Sequence, residues 1–282
     1  MSRGTASDDY APPSQYLPAR DVITEIAKFG QHRIEELSSI KILVLGIMGG
    51  AFITAGALFS ILLGSGFDTV GARVLVEGIG FSTGFFFVIL AEAALFSEAN
   101  VVMPAALFQG ISPAARVFRF WGLALVGNLA GAIITGWLMQ FAQVYSPEFD
   151  ASLAEIVAFK MSYREIGGAE GWFKLILSGM LANWLVGMAA FFATMGKTIV
   201  GKYVPVLLAV SLFVAAGFQH SPANMGYFSL SMAAGGDPGW GPAIAWNLIP
   251  AGIGNILGGT LLVALPFWYL YGRTKRPMTS DT

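Results

Sequence analysis

Phe218-Gln219-His220-Ser221-Pro222-Ala223-Asn224-Met225 is the stretch on which the reading of this chain turns. It follows a long apolar run, Val204 to Phe218, and sets an ionisable ring beside an X-Pro bond. A ring that can charge is costly at membrane depth, and a proline there frees backbone groups that hydrocarbon cannot satisfy. Such a break is expected where something polar crosses a bilayer.

The rest of the chain fits that setting. Of 282 residues, 55% are hydrophobic, only 12% are charged and 35 are glycine, with a mean hydropathy of +0.67. Soluble domains carry about 25% charged residues, so the composition is that of a membrane protein. A net charge of −1 excludes a basic nucleic-acid surface. The absence of cysteine excludes a disulfide framework, a thiolate metal site and a cysteine nucleophile. Residues 1–20 are polar and contain no apolar core of a signal peptide.

Six apolar blocks are long enough, at about 20 residues, to span a bilayer: Ile40–Leu63, Glu77–Phe96, Val117–Val144, Trp172–Met195, Tyr203–Leu230 and Pro242–Tyr271. The second is expected to break near Ser97-Glu98-Ala99-Asn100 and to resume as Val101–Phe108. The fifth breaks at Ser221-Pro222. Basic residues orient the chain. One set of connections holds Arg20, Lys28, Arg33, Lys41, Arg116, Arg119, Lys197, Lys202, Arg273, Lys275 and Arg276, against Arg73, Lys160, Arg164 and Lys174 on the other. Both termini are therefore expected in the cytoplasm.

Three regions follow. Residues 1–39 form a cytoplasmic segment in which Ile23, Ile26, Ile34 and Leu37 recur at helical spacing, which reads as an amphipathic helix on the membrane surface. His32 belongs there as a solvated surface histidine. Residues 40–272 form the six-span domain, and residues 273–282 a disordered cytoplasmic tail. The spans repeat, over about 40–144 and 172–271. Gly127-Asn128-Leu129-Ala130-Gly131 in the third matches Gly254-Asn255-Ile256-Leu257-Gly258 in the sixth. Phe96 and Ala99-Asn100 echo Phe218 and Ala223-Asn224. Three spans per half is odd, so the halves run in opposite senses, and broken helices at matching places point to a transport site between them.

The polar groups expected at depth are Glu92, Asn128, Asn183, Gln219, His220, Asn224, Asn247 and Asn255, with Ser97, Glu98 and Asn100 at the second break. A single buried Asn reads first as an interhelical hydrogen bond. His220 differs because it adjoins broken backbone, where its ring can donate to an anion. No nucleophile–base pair, metal-ligand spacing or Gly-rich phosphate loop is present, so neither enzyme chemistry nor a cofactor is expected.

At these residues the sequence resembles the formate/nitrite transporter family. The segment 218–225 is similar to that family's Phe-Glu-His-Ser-x-Ala-Asn-Met, and Asn247-Leu248-Ile249-Pro250 through Gly259 to its Asn-Leu-Ile-Pro-x-x-x-Gly-Asn-x-x-Gly-Gly. Ala182-Asn183-Trp184-Leu185-Val186 and Leu95-Phe96-Ser97 match two further segments. The resemblance covers about residues 20–272. It implies an all-α membrane protein of six transmembrane helices in an aquaporin-like inverted repeat with broken second and fifth helices, assembled as a homopentamer with a pore in each protomer. Small monovalent weak-acid anions, formate or nitrite first among them, would pass, often with a proton. By position, Phe81 would form the cytoplasmic constriction and Phe96 with Phe213 the periplasmic one, with Phe85 also lining the pore. His220 would face a chamber, with Ser97 and Asn255 as hydrogen-bond partners and Asn224 nearby. Asn183 and Val186 would line the cytoplasmic vestibule, and Lys160 the periplasmic one.

Three departures stand out. Gln219 replaces the family's usual Glu, Glu98 sits in the second-helix break, and Glu92 is an acid within the second span. A carboxylate at the chamber would favour cations such as ammonium over anions. Glu98 has three possible settings: the chamber, a pair with Lys160, or bulk water. A subunit that keeps the fold without conducting, as a membrane sensor, is the remaining alternative.

Overall fold

The computed structural model describes residues 16–272, and the expected C-terminal tail lies outside them. Among the described residues the elements are α1 (Ala19–Glu36), α2 (Ser39–Gly64), α3 (Val70–Leu90), α4 (Phe96–Phe108), α5 (Ala114–Ala142), α6 (Pro147–Met161) and the single turn α7 (Tyr163–Ile166). They continue as α8 (Gly168–Met195), α9 (Ile199–Ala215), α10 (Ser221–Ala233) and α11 (Trp240–Gly272). Helices α2, α3, α5, α8 and α11 are long and apolar enough to cross a bilayer. With α4 completing the second pass and α9–α10 forming the fifth, the chain makes six passes, two of them interrupted.

Contact between helix backbones builds the repeat. A Cβ on Gly131 of α5 would strike the Ile47 carbonyl of α2, and one on Gly258 of α11 would strike the Met180 carbonyl of α8. Hydrocarbon supplies no hydrophobic force between helices, so close approach of small residues holds such pairs together. The α2–α5 and α8–α11 pairs are thus the two equivalent halves of the scaffold, and the broken passes thread between them.

The interruptions differ from the expected ones by a few residues. The second pass leaves the helix at Ala91–Leu95 and restarts at Phe96, so Ser97, Glu98 and Asn100 lie in the first turns of α4. The fifth leaves it over 216–220, and Ser221-Pro222 opens α10. Ser97, Glu98 and Asn100 in the second pass and Ser221-Pro222 in the fifth mark the restart, where proline is tolerated, and not the break itself. The repeat register shifts accordingly. Phe96 is equivalent to Ser221, the first residue of each half-helix, so Leu95 pairs with His220 and Glu92 with Gly217.

Helix α1 also departs from expectation. Val22, Ile23, Ile26, Ala27 and Ile34 are buried against α4, α5 and α8, so protein covers the apolar face that had suggested a membrane surface. Gly30 allows the close approach, since a Cβ there would meet the Val102 carbonyl at 2.6 Å. His32 lies on the outer face beside Glu36, Nδ1 to Oε1 3.0 Å.

Candidate functional site

Each break is held by one asparagine at the middle of an unbroken helix. The Phe96 N–H donates to Asn128 Oδ1 at 2.8 Å, and Asn128 Nδ2 donates to the carbonyls of Ala94 and Gly46, both at 2.8 Å. In the other half the Ser221 N–H donates to Asn255 Oδ1 at 2.8 Å. Asn255 Nδ2 donates to the carbonyls of Gln219 at 3.2 Å and Gly179 at 2.9 Å. An unsatisfied buried backbone group costs about 1–3 kcal/mol, so each amide rescues several kcal/mol of exposed backbone. Asn255 is therefore a pin for the fifth break. A third amide, Asn183 Nδ2, ties the Ser97 carbonyl (3.1 Å) to that of Asn255 (2.6 Å). Asn183 and Val186 are fully buried and line neither cavity described below: Asn183 faces α4 and α11 through these bonds, and Val186 packs into the apolar core that holds Phe85, Val88 and Val206.

Two cavities lie at opposite ends of α3. One, of about 270 Å³, is lined by Arg73, Glu77, Phe81, Lys160, Phe213 and Tyr227 among others. The second, of about 280 Å³, is lined by Glu25, Phe29, Val88, Glu92, Glu98 and Lys202 among others. A helical stripe joins them: Glu77, Phe81, Phe85, Val88 and Glu92 follow at spacings of four, four, three and four. Glu77 to Val88 spans about 16 Å of helix rise. On antiparallel α9 and the residues after it, Lys202, Val206, Val210, Phe213 and Gly217 make the matching stripe. Phe81, Phe85, Val88, Val206, Val210 and Phe213 are all buried. An apolar seam flanked by charged mouths is the result.

Phe81 and Phe213 do not bound opposite ends of this seam. Their rings meet edge to face, with centroids 5.5 Å apart and planes at 86°, beside the Lys160 cavity. The His220 ring lies 5.3 Å from Phe213. Phe96 lines neither cavity, its N–H held at mid-span by Asn128, and it forms no ring pair with Phe213 among the described residues. Phe85 lies between the two cavities on the α3 stripe.

The geometry of His220 sets its tautomer. It caps α10, with Nδ1 accepting from the Ala223 N–H at 3.3 Å. A neutral imidazole that accepts at Nδ1 carries its proton on Nε2, and Nε2 is buried without a protein partner. Protonating Nδ1 would break the cap. The ring thus presents a fixed donor. Other buried polar atoms without partners gather around the same two breaks: Ser97 Oγ, both amide atoms of Asn100, Gln219 Nε2, Ser221 Oγ and Asn224 Oδ1. Native interiors leave few such atoms, and their concentration here suits a route that polar species visit.

Lys160, on α6 outside the spans, is buried with its Nζ donating to the Phe218 carbonyl at 3.3 Å and lying 5.9 Å over the Tyr227 ring. No carboxylate lies within ion-pair distance of it among the described residues. Burial pushes its pKa down to about 8, with Glu77 opposing at longer range. Its own carbonyl accepts from Asn247 Nδ2 at 2.8 Å, and Asn247 and Asn224 both donate to Gln219 Oε1, at 3.1 and 2.9 Å. Gln219 therefore keeps the acceptor role that a Glu would fill, without the charge. Asn224 belongs to this network, which fastens Lys160 to the fifth break.

Glu98 meets neither Lys160 nor bulk water. Its Oε2 lies 3.3 Å from Arg33 Nη1, with both side chains buried, and Arg33 Nη2 donates to the Glu92 carbonyl at 3.2 Å. Sequence reasoning missed Arg33. Its signal was its place on the apolar face of α1, in step with Ile26, Gly30 and Leu37.

A six-pass bundle with two pinned breaks and a buried seam between charged mouths is a membrane channel or carrier. Residues 20–269 match the formate/nitrite transporter family, and the chain belongs to it. It is 30% identical over 237 residues to the formate-nitrite transporter of Entamoeba histolytica, covering 82% of this chain but 64% of that longer relative. With formate channel FocA of Escherichia coli the identity is 29% over 257 residues, covering 83% and 87% of the two chains. A solved pentameric formate channel with formate bound shares the fold at 23% identity and a TM-score of 0.69, covering 83% of this chain and 98% of that one.

Proposed function

We propose that the protein carries a small monovalent weak-acid anion, formate or nitrite, across the membrane through the seam in each protomer of a homopentamer. The observation that carries this reading is the donor Nε2–H of His220 beside the Phe81–Phe213 pair, below a cavity that holds the unpaired cation of Lys160. With α1 placed in the cytoplasm by the excess of basic residues on its side, this cavity opens to the periplasm. Lys160 raises the local anion concentration. The apolar seam rejects a bare charge, because burying an unpaired ion costs far more than a protein recovers. A weak acid that takes a proton in the cavity enters neutral, and His220 holds it by donating to an oxygen.

The pH sense follows from Lys160. Its cation is present below a pKa of about 8 and is lost as pH rises through that value, while the protonated acid also becomes scarcer. In proteoliposomes, uptake of formate or nitrite is expected to rise toward acid pH and to fall further through pH 8. Lys160→Gln should lower flux several-fold and remove the step near pH 8. Phe81→Trp, which bulks the ring pair, should abolish flux. Ammonium flux without formate or nitrite flux would sink the reading, and a folded protein that passes none of them would leave the sensor alternative.

A further inference from the structure

Arg33 has a site built for it. Its guanidinium carbon lies 5.1 Å from the ring centroids of both Phe29 and Phe120, and its nitrogens reach Glu98 Oε2 and the Glu92 carbonyl. Only 3% of the residue is exposed. A planar fork between two rings suits arginine and not lysine. Glu98 stands in the first turn of α4, a half-helix whose N-terminus starts at mid-span, and it lines the second cavity. A bare carboxylate there would cancel the positive end of that helix and oppose anions.

Among the described residues Arg33 is the cation within ion-pair distance of Glu98. Of the other charges at this mouth, Glu25 pairs with Lys28 at 2.8 Å, Glu92 is exposed, and Lys202 keeps its charge but donates to the Ala193 carbonyl at 3.2 Å and not to Glu98. We propose that Arg33 sets the ion selectivity of this mouth: it neutralises Glu98 and keeps the route open to anions, so the pair works as a selectivity element in which α1 supplies the compensating charge. This rests on the reading that the protein transports anions. It makes α1 part of the conducting unit, and it turns Glu98 from a cation-selecting group into half of a neutral pair.

The test compares formate and ammonium fluxes in proteoliposomes for wild type, Arg33→Gln, Glu98→Gln and the double variant, all full-length and checked for assembly. A cleft whose walls take one sign of charge changes ion access by at least about tenfold. Arg33→Gln is expected to lose about tenfold in formate flux and to gain ammonium flux. The double variant, which leaves no buried unpaired charge, is expected to recover formate flux to within a few-fold of wild type, with ammonium again excluded. If Arg33→Gln does not fold, the double variant and Glu98→Gln decide, both expected to keep formate above ammonium. Unchanged selectivity in a folded Arg33→Gln, or a double variant that prefers ammonium, overturns the proposal. Wild-type flux judges the transport reading, and the ratio of variants to wild type judges the pair, so the two fail separately.

Discussion

The second and fifth breaks share one scaffold and do different work. Both restart at mid-span under an asparagine that accepts from the first N–H of the half-helix and donates to a carbonyl two residues earlier. Both pass through a left-handed residue, Glu92 at φ 49° and Gly217 at φ 70°. At the cap they part: the fifth break has His220, the second has Leu95. The fifth break sends its free carbonyl to Lys160, and the second sends its carbonyl to Arg33. Backbone geometry is duplicated, and chemistry is assigned separately to each copy.

Removing the pins breaks the comparison most forcefully. Asn128→Ala and Asn255→Ala each strand two backbone groups of a break, the first N–H of the half-helix and the carbonyl two residues earlier, and each is expected to cost about 2 kcal/mol or more. The measurement is thermal unfolding in detergent. Equal losses support equivalent pins, and a much smaller loss for either one would show that its break is held by other contacts.

His220→Leu gives the fifth break the residue of the second. A lost cap costs about 1 kcal/mol, so the fold should survive, whereas formate flux should fall at least tenfold with the Nε2–H donor gone. Flux near wild type would mean that the two breaks are functionally alike.

The smallest effect concerns the left-handed residues. A non-glycine residue in that region costs about 1 kcal/mol, so Glu92→Gly should stabilise the protein slightly or leave it unchanged in the same melting assay. Gly217→Ala should destabilise it by about 1–2 kcal/mol, since its Cβ also meets Phe159 Cζ at 2.9 Å. A stabilising Gly217→Ala would remove the parallel.

Much of this was readable from residues. Ile40–Leu63 anticipates α2 to within a residue at each end, because lipid demands an unbroken apolar run. The two Gly-Asn-x-x-Gly stretches mark both pins, since close backbone approach needs glycine and a broken pass needs an amide. The breaks were misplaced because Ala93-Ala94-Leu95 carries no polar signal, its hydrogen bonds coming from Asn128 on another helix. Phe81 and Phe213, expected at opposite constrictions, meet at one end of the seam, because position along one span does not say which ring of another it meets.

By itself the sequence determined the membrane setting, the six passes, the repeat and the family, because each follows from local runs and spacings. Only the tertiary structure decided that Arg33 answers Glu98, that Asn183 and Asn255 brace backbone, and that His220 presents Nε2. Those outcomes depend on which distant group arrives within hydrogen-bond reach, and at membrane depth that partner decides whether a charge or an amide is tolerated at all.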